Sequence, residues 1–578
     1  MMPGRGLSPW GILWASFLPV SSDGIAGRIR MSQSNKPFAT SSTAGLMAEE
    51  PPRFGGESTL WGHPVGLFLL FFVEMWERFS YYGMRGILVL YLTSPTSGMR
   101  SLPPGKPEGF NPGRGWDDGL ASTAYGWYTG LAYLTPIIGG MIADKMIGTH
   151  RSMIVGGLLI ALGHIVLGIS GMGALDTNAM GMSIFVFGLA LIVVGTGHFK
   201  PSVSVMVGQL YKQGDPRRET AFGIFYMGIN LGAAIQTYIV GTLGERVGWH
   251  WGFSAAAIGM LAGLLAYILL RGKLLAGIGL PPDGHGRVAP VFIPIGVAVA
   301  ALVGWAFHRG WLGHFDEFIS KPGVYWTLAA LAVGWALWFT FARNKPEDRG
   351  PVLSIFIFML FNAVFWLSFE QAGSSINLFT DRSTDRMIGN FEVPTTWFQS
   401  INPWCIIIFA PITGVMWTWL ARRNANPSQP IKIGLGLVFV GLGYLFMVAA
   451  AMNAKDPVKA SMWLIFGTYF VHTVGEIILS PTGLSYVTKA APKQHTSLLM
   501  GVWFVSSFLA NLGAGKVAAM VDPIVKGEKR LPWHLDGDPA GPNSQADFFF
   551  FFVITSCSAG ILIFILTPLL KKLIQGRE

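Results

Sequence analysis

The chain has 578 residues, 51% of them hydrophobic and only 12% charged, with a net charge of +10 and a mean hydropathy of +0.47. That balance excludes a soluble globular protein and marks a polytopic membrane protein, in which 74 Gly allow close helix approach and 21 Trp suit headgroup anchoring. The Lys and Arg lie mostly in short loops rather than on one soluble face, so membrane topology accounts for the positive charge and no nucleic acid partner is implied.

In chain order, residues 1–60 carry a short apolar patch, Trp10–Leu18, and then a polar Ser/Thr-rich stretch. The patch is too short to span a bilayer, so this segment reads as a cytoplasmic tail or an over-extended start, with Met31 or Met47 as the alternative beginning. The first apolar window, 65–93, differs from every other because Glu74, Glu77 and Arg78 stand at its centre. Each ionisable side chain at a bilayer midplane costs roughly 2.5–3.5 kcal/mol on insertion scales. Spaced at i, i+3 and i+4, the three share one helical face, which Tyr81, Tyr82 and Arg85 extend. That face must look into protein or water.

Further windows follow near 120–143, 152–173, 181–206, 220–241, 250–271, 289–308, 324–343, 352–379, 396–420, 431–452, 461–488, 496–518 and 546–570, giving about fourteen helices. The basic loops (Lys145 and Arg151; Lys212, Arg217 and Arg218; Arg271, Lys273 and Arg287; Arg343, Lys345 and Arg349; Arg422 and Arg423; Lys489 and Lys493; Lys571 and Lys572) all fall on one side, which places both termini in the cytoplasm. Cys405 and Cys557 sit in apolar runs and read as small hydrophobes, not as a disulfide or metal site. The chain contains neither GxxxxGK[ST] nor HExxH, so ATP-driven pumping and intramembrane zinc hydrolysis lose their usual support, and neither an enzyme nor a bound cofactor is expected.

Short matches recur in order at a separation of roughly 280 residues. Trp76-x-x-Phe79-x-x-x-Gly83 is echoed by Trp366-x-x-Phe369-x-x-x-Gly373, Pro136-Ile-Ile-Gly139 by Pro411-Ile-Thr-Gly414, Lys200-Pro201 by Ser480-Pro481, and Asn230-Leu-Gly-Ala233 by Asn511-Leu-Gly-Ala514. Parallel six-helix halves are the plan of the major facilitator superfamily, with the substrate site at the midplane between them. The expected architecture is therefore all-α, with a tail over 1–60, a six-helix bundle over 61–272, an inserted hairpin over 273–350 and a second six-helix bundle over 351–578. The hairpin is poor in polar residues and reads as peripheral, without a catalytic duty.

Outside the first helix, the polar residues that stand out within apolar windows are Tyr133, His198, Lys200, Asn230, Glu370, Gln399, Asn402 and Glu476. Lys200 precedes Pro201, which predicts an interrupted helix at the cation and hence a cavity wall. Lys200 and Glu370 are expected to form an ion pair between the halves. Asn230 and Asn402 would serve equally as interhelical glue, and Tyr81, Tyr82, Tyr133 and Trp503 as plain packing. His198 more readily meets a local polar contact than relays protons.

Taken together these motifs resemble those of the proton-dependent oligopeptide transporter family over about residues 60–570. The resemblance rests on Glu74-x-x-Glu77-Arg78-Phe79-Ser-Tyr81-Tyr82-Gly83, Gly140-Met-Ile-Ala-Asp144-Lys145-Met-Ile-Gly148, Phe225-Tyr-Met-Gly-Ile-Asn230-Leu-Gly232, Gln399-Ser-Ile-Asn402-Pro403 and Gly475-Glu476-x-x-x-Ser480-Pro481. It implies a proton-coupled symporter of di- and tripeptides in the cytoplasmic (inner) membrane, acting as a monomer. By position, Arg78 and Lys200 would receive the peptide carboxylate. Asn230, Asn402 and Glu476 would receive its amino terminus, and Ser480 would belong to the same substrate-binding set. Tyr82, Tyr133 and Trp503 would line side-chain pockets, and Glu74, Glu77, Arg78, Lys200 and Glu370 would couple protons. The rival readings are a carrier of the same fold for nitrate, a drug or an amino-acid conjugate, and a receptor that senses peptides without moving them.

Overall fold

The computed structural model describes residues 59–96, 111–176, 178–212, 214–281, 286–455, 457–536 and 540–577, so the tail expected over 1–60 lies almost wholly outside the described residues. The first bundle comprises α1 (Val65–Thr93), α2 (Asp118–Ile142), α3 (Gly148–Ile169), α4 (Ala179–Gln209), α5 (Arg217–Gln236, continued by further turns to Arg246) and α6 (Trp249–Leu274). A hairpin follows, made of α7 (Phe292–His308), the short α8 (Trp311–Ser320) and α9 (Pro322–Ala342). The second bundle comprises α10 (Pro346–Phe369), α11 (Ser375–Ser383), α12 (Ile401–Arg422), α13 (Gln429–Asn453), α14 (Met462–Ala490), α15 (Thr496–Ala518) and α16 (Gln545–Ile574).

Local signals fix several helix starts. Asp117 accepts from Leu120 N, Asn178 from Gly181 N, and Ser544 with Asp547 forms a reciprocal capping box, so orphan N–H groups at these ends are satisfied. Twelve helical runs among the described residues are long and apolar enough to cross a membrane. One of them, Asp118–Ile169, divides into α2 and α3 at Gly148, whose φ of 77° suits glycine. Counting those separately, and adding α1, a 29-residue apolar helix apart from Glu74, Glu77, Arg78 and Arg85, gives fourteen, in keeping with the about fourteen expected.

The repeat is visible in the packing. A Cβ on Gly156 of α3 would stand 2.6 Å from the Gly195 carbonyl oxygen of α4, and one on Gly475 of α14 would stand 2.8 Å from the Gly436 carbonyl oxygen of α13. Gly156 with Gly195, and Gly436 with Gly475, thus form matching crossings of bare backbone, the close approach that small residues permit in lipid. Substituting Leu at Gly195 or Gly475 would drive either crossing apart. Between bundles, α2 packs on α15 and α5 on α12.

One expectation fails here. Pro201 lies inside a continuous α4, and no interruption occurs at Lys200. Proline removes the donor that would have bonded the Gly197 carbonyl. Gly139 of α2 packs directly against that carbonyl, where any side chain would collide with it, so the helix runs through the proline in close contact with its neighbour.

Candidate functional site

The buried face of α1 builds the first half of the site. Arg78 Nε lies 3.1 Å from Glu74 Oε1 and contacts Glu77 more closely still, with all three side chains nearly excluded from solvent. The Arg78 guanidinium also stands over the Tyr81 ring, 5.3 Å from its centroid, and its Nη2 is buried without a hydrogen-bond partner among the described residues. Such a buried, unsatisfied cationic donor costs free energy and is ready to receive an anion. From α4, the Lys200 ammonium sits 4.0 Å from the Tyr133 ring centroid and within electrostatic reach of Arg78, Glu77, Glu74 and Glu370. Two glutamates and two cations therefore share one region of the first bundle.

The ion pair between bundles is not the expected one. Glu370 engages Arg85, while Lys200 keeps its place over Tyr133. Arg85 lies two turns beyond Arg78 on the same α1 face, so its side chain reaches across where α10 ends and the chain tightens over Glu370–Gly373. Its Nε also donates to the Tyr125 hydroxyl of α2. Gly373 admits that hydroxyl, because a Cβ there would stand 1.8 Å from the oxygen. The same seam is stitched by Asn377 Nδ2 donating to Gly86 O at 3.1 Å and Gln399 Nε2 donating to it at 3.4 Å. In the sequence Arg85 extends the charged face of α1, but with its partner 285 residues away nothing local reveals the pairing.

The second bundle supplies a different chemistry. Asn402 Nδ2 of α12 donates to Glu476 Oε2 of α14 at 2.7 Å and to Thr473 Oγ1 at 3.1 Å, so a neutral amide orients a buried carboxylate. Tyr82 lies between the two regions, within electrostatic reach of Arg78, Arg85, Glu370 and Glu476, with Arg85 5.7 Å from its ring centroid. Tyr226 of α5 lies within electrostatic reach of Glu476 and Tyr82 and is 37% exposed. Its position one turn before Asn230 was the signal available in the sequence.

The remaining candidates are more local. Asn230 Nδ2 donates to Tyr226 O, one turn back in its own helix, at 3.0 Å. Trp503 is buried with its indole against Gly483, and Ser480 is half-buried one turn beyond Glu476. His198 turns toward Ser152 Oγ, 3.0 Å from its Nδ1, and toward the Phe292 ring of the hairpin, away from the charged cluster.

At the end opposite the basic loops, further contacts cross between bundles. Arg382 grips Asp118 through two hydrogen bonds of 2.6 and 2.9 Å, and Glu245 accepts from the backbone N–H groups of Thr395 and Thr396 at 2.8 Å each. Glu245, from the first bundle, thereby caps the turn that opens α12 of the second.

A sequence profile of the POT family matches residues 150–533. A peptide transporter of Yersinia enterocolitica, YePEPT, is 36% identical over 482 residues, covering 81% of this chain and 89% of that protein. A di-/tripeptide transporter of Lactococcus lactis subsp. cremoris is 34% identical over 484 residues, covering 81% and 91%. Among solved structures, a peptide transporter POT in complex with sulfate superposes with a TM-score of 0.73 at 32% identity, covering 90% of this chain and 98% of that one. A POT family transporter in complex with 5-aminolevulinic acid superposes with a TM-score of 0.71 at 28% identity, covering 89% and 98%.

Proposed function

The chain belongs to the POT family, and on that footing we propose that it is a carrier that imports di- and tripeptides with protons across the cytoplasmic membrane by alternating access. The observation that carries the reading is the charge layout of the cleft. A cationic pair, Arg78 and Lys200, stands in one bundle, an amide-held carboxylate, Glu476, in the other, and Tyr82 lies between. A peptide zwitterion matches that dipole, its carboxylate toward Arg78 and Lys200 and its ammonium toward Glu476 and Asn402, with Tyr133, Asn230, Ser480 and Trp503 shaping the surroundings.

Proton coupling follows from charge balance. With Glu74 and Glu77 ionised, the charges of Arg78 and Lys200 are offset and a second anion is poorly received. A proton on either glutamate leaves a surplus positive charge, which a peptide carboxylate neutralises, so proton and peptide favour each other's binding by the same factor. Interacting carboxylates titrate as a set, and the transported proton belongs to the cluster. The Arg85–Glu370 pair joins the bundles beside this cluster, where a proton on Glu370 would release Arg85 and let the bundles rock.

In the same reading the basic loops and both termini are cytoplasmic, the monomer is the working unit, and the chain divides into a tail over 1–60, bundles over 61–272 and 351–578, and the hairpin over 273–350. Competition against labelled dialanine uptake tests the assignment of the two ends. N-acetylation or C-amidation should each weaken competition by about tenfold or more, the cost of leaving a buried charged group without its partner. Equal competition by free and doubly blocked dipeptides would overturn it.

A further inference from the structure

We propose that the inserted hairpin is a strap across the seam between the bundles and that Asp316 is its fastening point. Its two arms hold different bundles. On the first bundle, α7 lies along α3 and α4: Gly296 is flush with Leu159 and Val194, Gly304 with Ser183 and Phe187, and His308 Nδ1 is 3.1 Å from Ser183 Oγ. On the second, α9 is held mainly by its last turns, where Phe339 is buried against the rings of Phe356 and His495.

The joining helix α8 then spans the gap. Asp316 Oδ1 accepts from Trp127 Nε1 of α2 at 2.7 Å, and the same carboxylate forms an ion pair with Lys516 of α15. The Lys516 ammonium also donates to Ser320 Oγ at 3.0 Å. The Trp127 ring lies between Phe315 of α8 and Phe508 of α15, with centroids 5.9 and 6.2 Å away. One carboxylate that belongs to neither bundle thus holds a side chain from each, beside the seam where Gly126 and Gly130 of α2 meet Gly515 and Phe508 of α15.

Alternating access rocks one bundle against the other, and motion that parts α2 from α15 at this end must break one of the contacts of Asp316. The strap therefore favours closure at the end opposite the basic loops. This inference rests on the transport reading for its purpose but not for its test. The reporter is a cysteine at Ser375, a buried residue of α11 that lines a recess with Asp118, Arg382 and Ala518 at that end, placed in a Cys405→Ser and Cys557→Ser background.

The full chain is reconstituted in vesicles and labelled with a membrane-impermeant maleimide without peptide. Asp316→Asn and Asp316→Lys should each raise the labelling rate about three- to tenfold, as expected for losing one partly exposed ion pair with its hydrogen bonds. Pairing Asp316→Lys with Lys516→Asp should return the rate toward the parent value. Parent-rate labelling in both single variants would overturn the strap, as would a double variant that labels as fast as Asp316→Lys alone. Intact peptide uptake beside unchanged labelling sinks the strap and leaves the transport reading standing. Faster labelling in a protein that moves no peptide does the reverse.

Discussion

Helices α4 and α14 share a frame and carry opposite chemistry. Each crosses its neighbour on glycine backbone, Gly195 on Gly156 and Gly475 on Gly436, yet α4 sets Lys200 over the Tyr133 ring while the matching stretch of α14 carries Glu476 beside Asn402. The surroundings diverge as well. Lys200 stands among two glutamates and an arginine, so the first bundle offsets charge with charge. Glu476 is held by the neutral amide of Asn402. A repeated scaffold thus carries two different charge environments, and under the proposed function these unmatched side chains would let the site distinguish the ends of a zwitterion.

The comparison breaks most severely at Arg78. Arg78→Ala would strand Glu74 and Glu77 without their buried partner, a loss of about 2–5 kcal/mol that should abolish measurable peptide uptake, checked with labelled dialanine in vesicles. Next, Glu74→Gln or Glu77→Gln should end uphill accumulation while leaving peptide exchange, because neutralising either glutamate fixes the charge state that a proton would otherwise create. Full-rate uphill uptake in both single variants would remove the cluster from coupling.

Two smaller effects sharpen the contrast between the bundles. Lys200→Ala should weaken peptide affinity by roughly 10-fold or more and lessen the penalty for C-amidation, the signature of a lost carboxylate partner. Glu476→Gln should weaken it by about tenfold and lessen the penalty for N-acetylation instead. If each substitution altered both penalties alike, the two ends of the cleft would not be chemically distinct.

Periodicity and hydropathy exposed much of this architecture, because apolar spans, basic loops and the charged face of α1 are local properties of the sequence. The windows at 65–93 and 324–343 lie within a few residues of α1 and α9. The window at 352–379 is interrupted in the structure by the tighter turn at Glu370–Gly373. Side-chain partnership was less legible. Lys200 and Glu370 are opposite charges within electrostatic reach of each other, and sequence offers no measure of which cation reaches the carboxylate; a bridge over 285 positions, from Arg85, won. Pro201 misled because proline inside a helix does not always break it, and the packing at the Gly197 carbonyl involves Gly139 of another helix. The low polarity of the hairpin likewise concealed Asp316, one carboxylate placed between Trp127 and Lys516.

The most direct test of the account is accumulation of labelled dialanine in vesicles containing the full chain, under an imposed inward proton gradient. The account predicts internal peptide rising above the external concentration and falling back to it when a protonophore collapses the gradient. Uptake that never exceeds equilibration, or accumulation that survives the protonophore, would contradict it.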